Sequence, residues 1–115
     1  MSQTDGLPGA GTAWVEERKI LKYLLDLTHP QGAAKARFFL GRGFAVETWT
    51  VMRDALIAQG TTNVVVRTIE NEFGKRYTVE CICPTPDATN PCIRSVWEVK
   101  PEDPRPRLIT AHPFD

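Results

Sequence analysis

Apolar residues in the first half of the chain recur at helical spacing, and those in the second half recur every second residue. Ile20, Leu24 and Leu27 fall at i, i+4 and i+7, with Leu21 and Leu25 beside them. Glu16, Glu17, Arg18, Lys19 and Lys22 fill the remaining positions, so the pattern predicts an amphipathic helix from about Trp14 to Leu27. Thr28-His29-Pro30 ends it. Thr28 and Gln31 have the spacing of a capping box, with Pro30 in the first turn, where a missing N–H does no harm. A second helix is therefore predicted over Pro30 to Leu40, closed by Gly41-Arg42-Gly43. Trp49, Met52 and Leu56 predict a third helix from Thr48 to Gln59, stopped by Gly60.

Beyond Gly60 the β-branched run Val64-Val65-Val66 with Ile69 predicts a strand over Asn63 to Glu70. Asn71 to Gly74 is a turn. Lys75 to Cys83 alternates, with Tyr77, Val79, Cys81 and Cys83 on one face and Thr78, Glu80 and Ile82 on the other. A proline-rich loop, Pro84 to Pro91, leads to a third strand, Cys92 to Lys100. Its inner face is Ile93, Trp97 and Val99, and Arg94, Val96 and Glu98 point outward. A last short strand covers Arg107 to His112. Short connections favour an antiparallel meander. The expected fold is α+β, with three N-terminal helices packed on one face of a four-stranded, mostly antiparallel sheet. Residues 1–12, with three glycines and a proline, are expected to be a flexible tail, and residues 13–115 a single domain.

Composition narrows the function classes. The 115 residues include 14 basic and 14 acidic side chains, a formal balance of zero. That argues against a DNA-coating protein but leaves room for a local basic groove. No apolar run is long enough to span a bilayer, and the polar N-terminus lacks a signal-peptide core, so a cytoplasmic location is expected. A toxin delivered by a specialised apparatus would share these features. Cys81, Cys83 and Cys92 are odd in number and expected to be reduced. A zinc site built from them with His112 is disfavoured because C-x-C is not the usual knuckle spacing. Phosphate loops and dinucleotide fingerprints are absent, so no cofactor or metal is expected.

Two groups of residues carry possible chemistry. His29 and Lys35 lie at the start of the second helix, where free N–H groups favour an anion. On the sheet, Arg94, Thr110 and His112, with Glu80 nearby, form a set suited to RNA cleavage. There a base removes the 2′-OH proton, an acid protonates the leaving oxygen and a cation stabilises the charged phosphate. Spacing alone favours the plainer reading of both groups as solvated polar faces, since a one-residue slip in strand register reverses every assignment.

The segments Leu24-Leu25, His29-Pro30-x-Gly32-x-x-Lys35-Ala36-x-Phe38-Phe39, Gly43-Phe44 and Trp49 resemble a bacterial domain-of-unknown-function family, the one numbered in the 6883 series. The resemblance continues through Phe73-Gly74-x-x-Tyr77-x-Val79-Glu80, Arg94-Ser95-Val96-Trp97 and Pro106-Arg107-Leu108-Ile109-Thr110-Ala111-x-Pro113, covering about residues 18–113. The family pattern has a tyrosine where this chain has His112. Its layout is similar to the toxin nucleases that include barnase, RelE and the colicin tRNases. The resemblance implies a small, metal-independent endoribonuclease-type toxin domain with an RNA substrate and a cognate antitoxin or immunity protein. It raises His29, Lys35, Arg94 and Thr110 above what spacing supports, with His112 as a further acid–base candidate. The competing expectation is a non-catalytic interaction module or a small phage or delivery-system component.

Overall fold

A computed structural model describes residues 6–114. Helix α1 (Glu17–Lys19) runs directly into a π-helical turn over Ile20–Leu24, in which the Leu25 N–H reaches back five residues to the Ile20 carbonyl at 2.9 Å. Helices α2 (Ala33–Gly41) and α3 (Trp49–Thr62) follow. The chain then forms β1 (Val65–Asn71), β2 (Gly74–Ile82), β3 (Cys92–Lys100) and β4 (Asp103–Pro113). The strands lie in sequence order, each antiparallel to the last. The α+β architecture with three helices and a four-stranded meander is thus the one the periodicity predicts.

Long-range contacts move several boundaries. The first helix begins at Glu17 because Trp14 is recruited to the edge of β4. Its N–H donates to the Pro106 carbonyl at 2.9 Å, and its carbonyl accepts from Leu108 at 3.1 Å. The capping box does not form. Asp26 takes both the amide and the hydroxyl of Thr28, at 2.9 and 2.6 Å, and α2 starts only after Gly32. Gly60 lies inside α3 rather than ending it. A Cβ there would sit 2.6 Å from the Trp97 ring, so this glycine serves close packing of helix on sheet. Of the tail expected over residues 1–12, residues 1–5 lie outside the described residues. Residues 6–12 include the buried Leu7 and a 3₁₀ turn over Ala10–Thr12.

The core lies between the helices and one sheet face. Ile20, Leu24, Phe39, Met52 and Leu56 come from the helices, and Val79, Ile93, Trp97 and Leu108 from the strands. One polar network crosses it. The fully buried Gln59 donates from Nε2 to the carbonyls of Val79 and Ile93, both at 3.2 Å, and accepts the Ser95 hydroxyl at Oε1. Ser95 Oγ in turn accepts the Trp97 indole N–H at 2.8 Å. Every member has a partner, so the network fixes how α3 sits on the sheet at little desolvation penalty.

The cysteines correct an expectation. Cys81 and Cys92 form a disulfide, 11 residues apart in sequence. Ile82 pairs with Cys92 in the β2–β3 register, which puts Cys81 diagonally beside it. Cys83 is free and buried, and burial pushes its thiol up to about 12, which suits packing rather than nucleophilic attack. Among the described residues no helix is long and apolar enough to cross a membrane.

Candidate functional site

The π-helical turn, the start of α2 and strand β4 meet at Tyr23. Gly32 makes the approach possible. It is buried, and a Cβ on it would come within 2.7 Å of the Tyr23 carbonyl and 2.9 Å of its ring. With Gly32 seated on Tyr23, Lys35 lies nearly one turn further along α2 and reaches the phenol. Lys35 Nζ donates to Tyr23 Oη at 2.7 Å, and Thr110 Oγ1 of β4 lies 3.2 Å from the same oxygen. Two cations also sit against the ring, Lys35 at 5.0 Å and Lys19 at 5.5 Å from its centroid. Burial works to raise the Tyr23 phenol. The hydrogen bonds from Lys35 and Thr110 and the charges of Lys35 and Lys19 outweigh it and hold the phenol below the ordinary tyrosine value.

Two imidazoles border this cluster with opposite proton placement. His29 packs its ring edge-on to Tyr23, with centroids 4.9 Å apart, and its Nδ1 accepts the Gln31 N–H at 3.0 Å. A neutral His29 therefore carries its proton on Nε2. His112 Nδ1 lies 3.1 Å from the Pro113 carbonyl, which can only accept, so a neutral His112 in this contact carries its proton on Nδ1.

These groups line one groove of about 760 Å³. Its walls hold His29, Lys35, Thr110 and His112, together with Tyr23, Arg18, Lys19, Lys22 and Arg107, against a single carboxylate, Glu16. Glu16 is already bound to Arg107 at 2.9 Å. Among the described residues, Arg18, Lys19, Lys22 and Lys35 have no carboxylate within ion-pair distance. A chain with no net charge thus concentrates positive charge in one concavity.

Arg94 does not line this groove, although it faces His112 directly across the β3–β4 pairing. It shares the outward sheet face with Glu80, which binds it at 2.7 Å, and its guanidinium stacks on Phe114 at 4.6 Å. Four of the five site residues expected from the sequence therefore line one groove, and Arg94, beside His112 in the sheet, is turned to Glu80 instead. Tyr23 and Lys19 were not singled out by the sequence reading. The only local signal for Tyr23 is a lone aromatic hydroxyl beside Lys22 in the run Ile20-Leu21-Lys22-Tyr23-Leu24-Leu25. Among the described residues no group of His, Cys, Asp and Glu side chains gathers to hold a metal ion.

Comparison with solved structures finds a chain of a contact-dependent growth inhibition toxin–immunity protein complex from Klebsiella pneumoniae 342. The match covers 95% of this chain and 99% of that one, with a TM-score of 0.66 and 16% identity. At that identity the likeness is one of fold. No curated protein sequence matches the chain. The model of a family described as a domain of unknown function, DUF6883, matches residues 6–115, and the chain belongs to that family.

Proposed function

We propose that this domain is a toxin-type endoribonuclease whose active centre is the groove around Tyr23. The observation that carries the reading is the set of lysines without carboxylate partners among the described residues, beside two histidines, in a chain of zero net charge. A polyanion is the natural occupant of such a groove, and the exposed or half-exposed Lys19, Lys22 and Lys35 would bind its phosphates. His112 Nε2 is the base that takes the 2′-OH proton. The 2′-oxygen then attacks phosphorus, and the bond to the 5′-oxygen breaks, leaving a 2′,3′-cyclic phosphate and a 5′-hydroxyl. Lys35, through an N–H not given to Tyr23, and the Nε2–H of His29 hold the non-bridging oxygens as charge builds on them, while Thr110 fixes the Tyr23 phenol beside them. These fixed cations supply the charge stabilisation, so the reaction runs without a metal. Arg94 is given a structural part, because Glu80 and Phe114 already occupy it.

Delivery into a competing cell, with an immunity protein to protect the producer, is supported by the shared fold with a chain of a toxin–immunity complex. A second reading, a non-catalytic partner-binding module, draws on β1, an edge strand with Val66 and Ile69 exposed. The convergence of four candidate residues on one concave surface favours the enzyme. Expression from a tight promoter separates the two. The wild type should arrest growth and degrade RNA, whereas His29→Ala and Lys35→Ala should do neither. Intact tRNA and total RNA after incubation with purified wild-type protein contradict the nuclease.

A further inference from the structure

The phenolic oxygen of Tyr23 is the most heavily engaged atom in the groove, and hydrogen-bond geometry limits where its proton can go. Lys35 Nζ is 2.7 Å away and can only donate, so one lone pair of the phenol is taken. Thr110 Oγ1, at 3.2 Å, can donate as well. With both neighbours donating, the phenol proton points into the groove. An oxygen held in this way is equally well solvated after it loses that proton, because the same two hydrogen bonds then stabilise the anion. Structural tyrosines usually need only one partner for the hydroxyl. Here an ammonium, a hydroxyl and a second cation over the ring converge on a half-exposed phenol.

We infer that Tyr23 is the general acid of the cleavage step, donating its proton to the departing 5′-oxygen, an assignment that rests on the ribonuclease reading above. As the 2′-oxygen forms its bond to phosphorus, with its own proton passing to His112, the phosphorus–O5′ bond breaks. Its electron pair takes the Tyr23 proton, and the phenolate remains between Lys35 and Thr110. The proton on His112 returns to the phenolate through solvent, so the enzyme ends as it began. The lowered phenol value is consistent with this duty, since a donor nearer neutrality transfers its proton more readily. His29, edge-on to the ring, positions it. Lys19 from α1, Lys35 from α2 and His29 from the intervening loop lie against Tyr23, and the other charged or titratable groups of the groove are Glu16, Arg18 and Lys22 before and within the π-helical segment and Arg107 and His112 of β4.

The test compares two synthetic RNAs that span the bond cut by the wild type, one with the natural 5′-oxygen and one with 5′-sulfur, which leaves readily without an acid. Tyr23→Phe should slow the oxygen substrate by about 100-fold or more and leave the sulfur substrate within roughly fivefold of wild type. The fall of wild-type kcat/KM at alkaline pH should disappear in Tyr23→Phe and move to higher pH in Lys35→Met, which retains the phenol but removes its cation. Equal slowing of both RNAs by Tyr23→Phe, activity within about threefold of wild type on the oxygen RNA, or an alkaline limb that Lys35→Met does not move overturns the assignment while the nuclease stands. If the wild type cuts neither RNA, the nuclease reading fails and the assignment falls with it.

Discussion

On the outward face of the sheet, Arg94 meets Glu80, and Arg76 and Arg107 both meet Glu98. In the groove beside β4, Lys19, Lys22 and Lys35 meet no carboxylate among the described residues, and two of them crowd the same tyrosine ring. The two surfaces adjoin at Arg107, which binds Glu16 on the groove side and Glu98 on the sheet side. Paired charges of this kind repay their own desolvation and stabilise the fold modestly. Unpaired like charges held together repel one another, and a fold keeps such an arrangement where a ligand of opposite charge makes up the deficit. On the proposed reading, the first surface contributes stability and the second the chemistry.

Substitutions that separate these two roles test the contrast. The largest effect is expected for Lys35→Met, with RNA cleavage reduced by about 100-fold or more and an unfolding midpoint equal to or above that of the wild type, read by single-turnover assay and thermal melt. Gly32→Ala should act on both counts, because its Cβ meets the Tyr23 carbonyl at 2.7 Å. A destabilisation of about 1–3 kcal/mol by denaturant titration and a loss of activity are expected together.

On the sheet side, Glu98→Gln should destabilise by roughly 1–3 kcal/mol with cleavage nearly unchanged. Burial works to raise the Glu98 carboxyl, but hydrogen bonds and charge from Arg76 and Arg107 prevail and hold it below its ordinary 4.5. A depressed carboxyl contributes stability that is fully present above its unfolded value and is lost as pH falls through the folded one. Wild-type stability should therefore drop more steeply below pH 4.5 than that of Glu98→Gln, as chemical denaturation across acid pH would read. The smallest effect is expected for Arg94→Ala, since its side chain is 36% exposed. A change below about 1 kcal/mol and essentially unaltered cleavage are expected, and a large loss of cleavage would return Arg94 to the active centre.

How much of this was legible in the sequence depends on how far each residue's decisive contact lies along the chain. Trp49, Met52 and Leu56 give α3, and the alternation around Ile93 and Trp97 gives β3, because those signals are local. Gly60 misleads: its local meaning is a helix stop, and its partner, Trp97, lies 37 residues on, in β3. Thr28 misleads because Asp26, two residues earlier, competes for its hydroxyl. The motif His29-x-x-Gly32-x-x-Lys35 pointed to the start of α2 but not to Tyr23, which Gly32 and Lys35 both contact. The π-helical turn puts one extra residue between Ile20 and its hydrogen-bond partner, so an ordinary helical period does not assign Tyr23 its face. Arg94, Thr110 and His112 share a neighbourhood on β3 and β4, yet only the ion pair with Glu80 separates the first from the others. The disulfide follows from a diagonal register that cysteine counting cannot supply.

The most direct test of the central claim is the chemistry of the RNA ends made by the purified domain from total RNA in the presence of EDTA. The account predicts fragments ending in a 2′,3′-cyclic phosphate and beginning with a 5′-hydroxyl, produced by the wild type and absent with Lys35→Met. Uncut RNA, ends bearing 3′-hydroxyl and 5′-phosphate, or equal cleavage by Lys35→Met would contradict it.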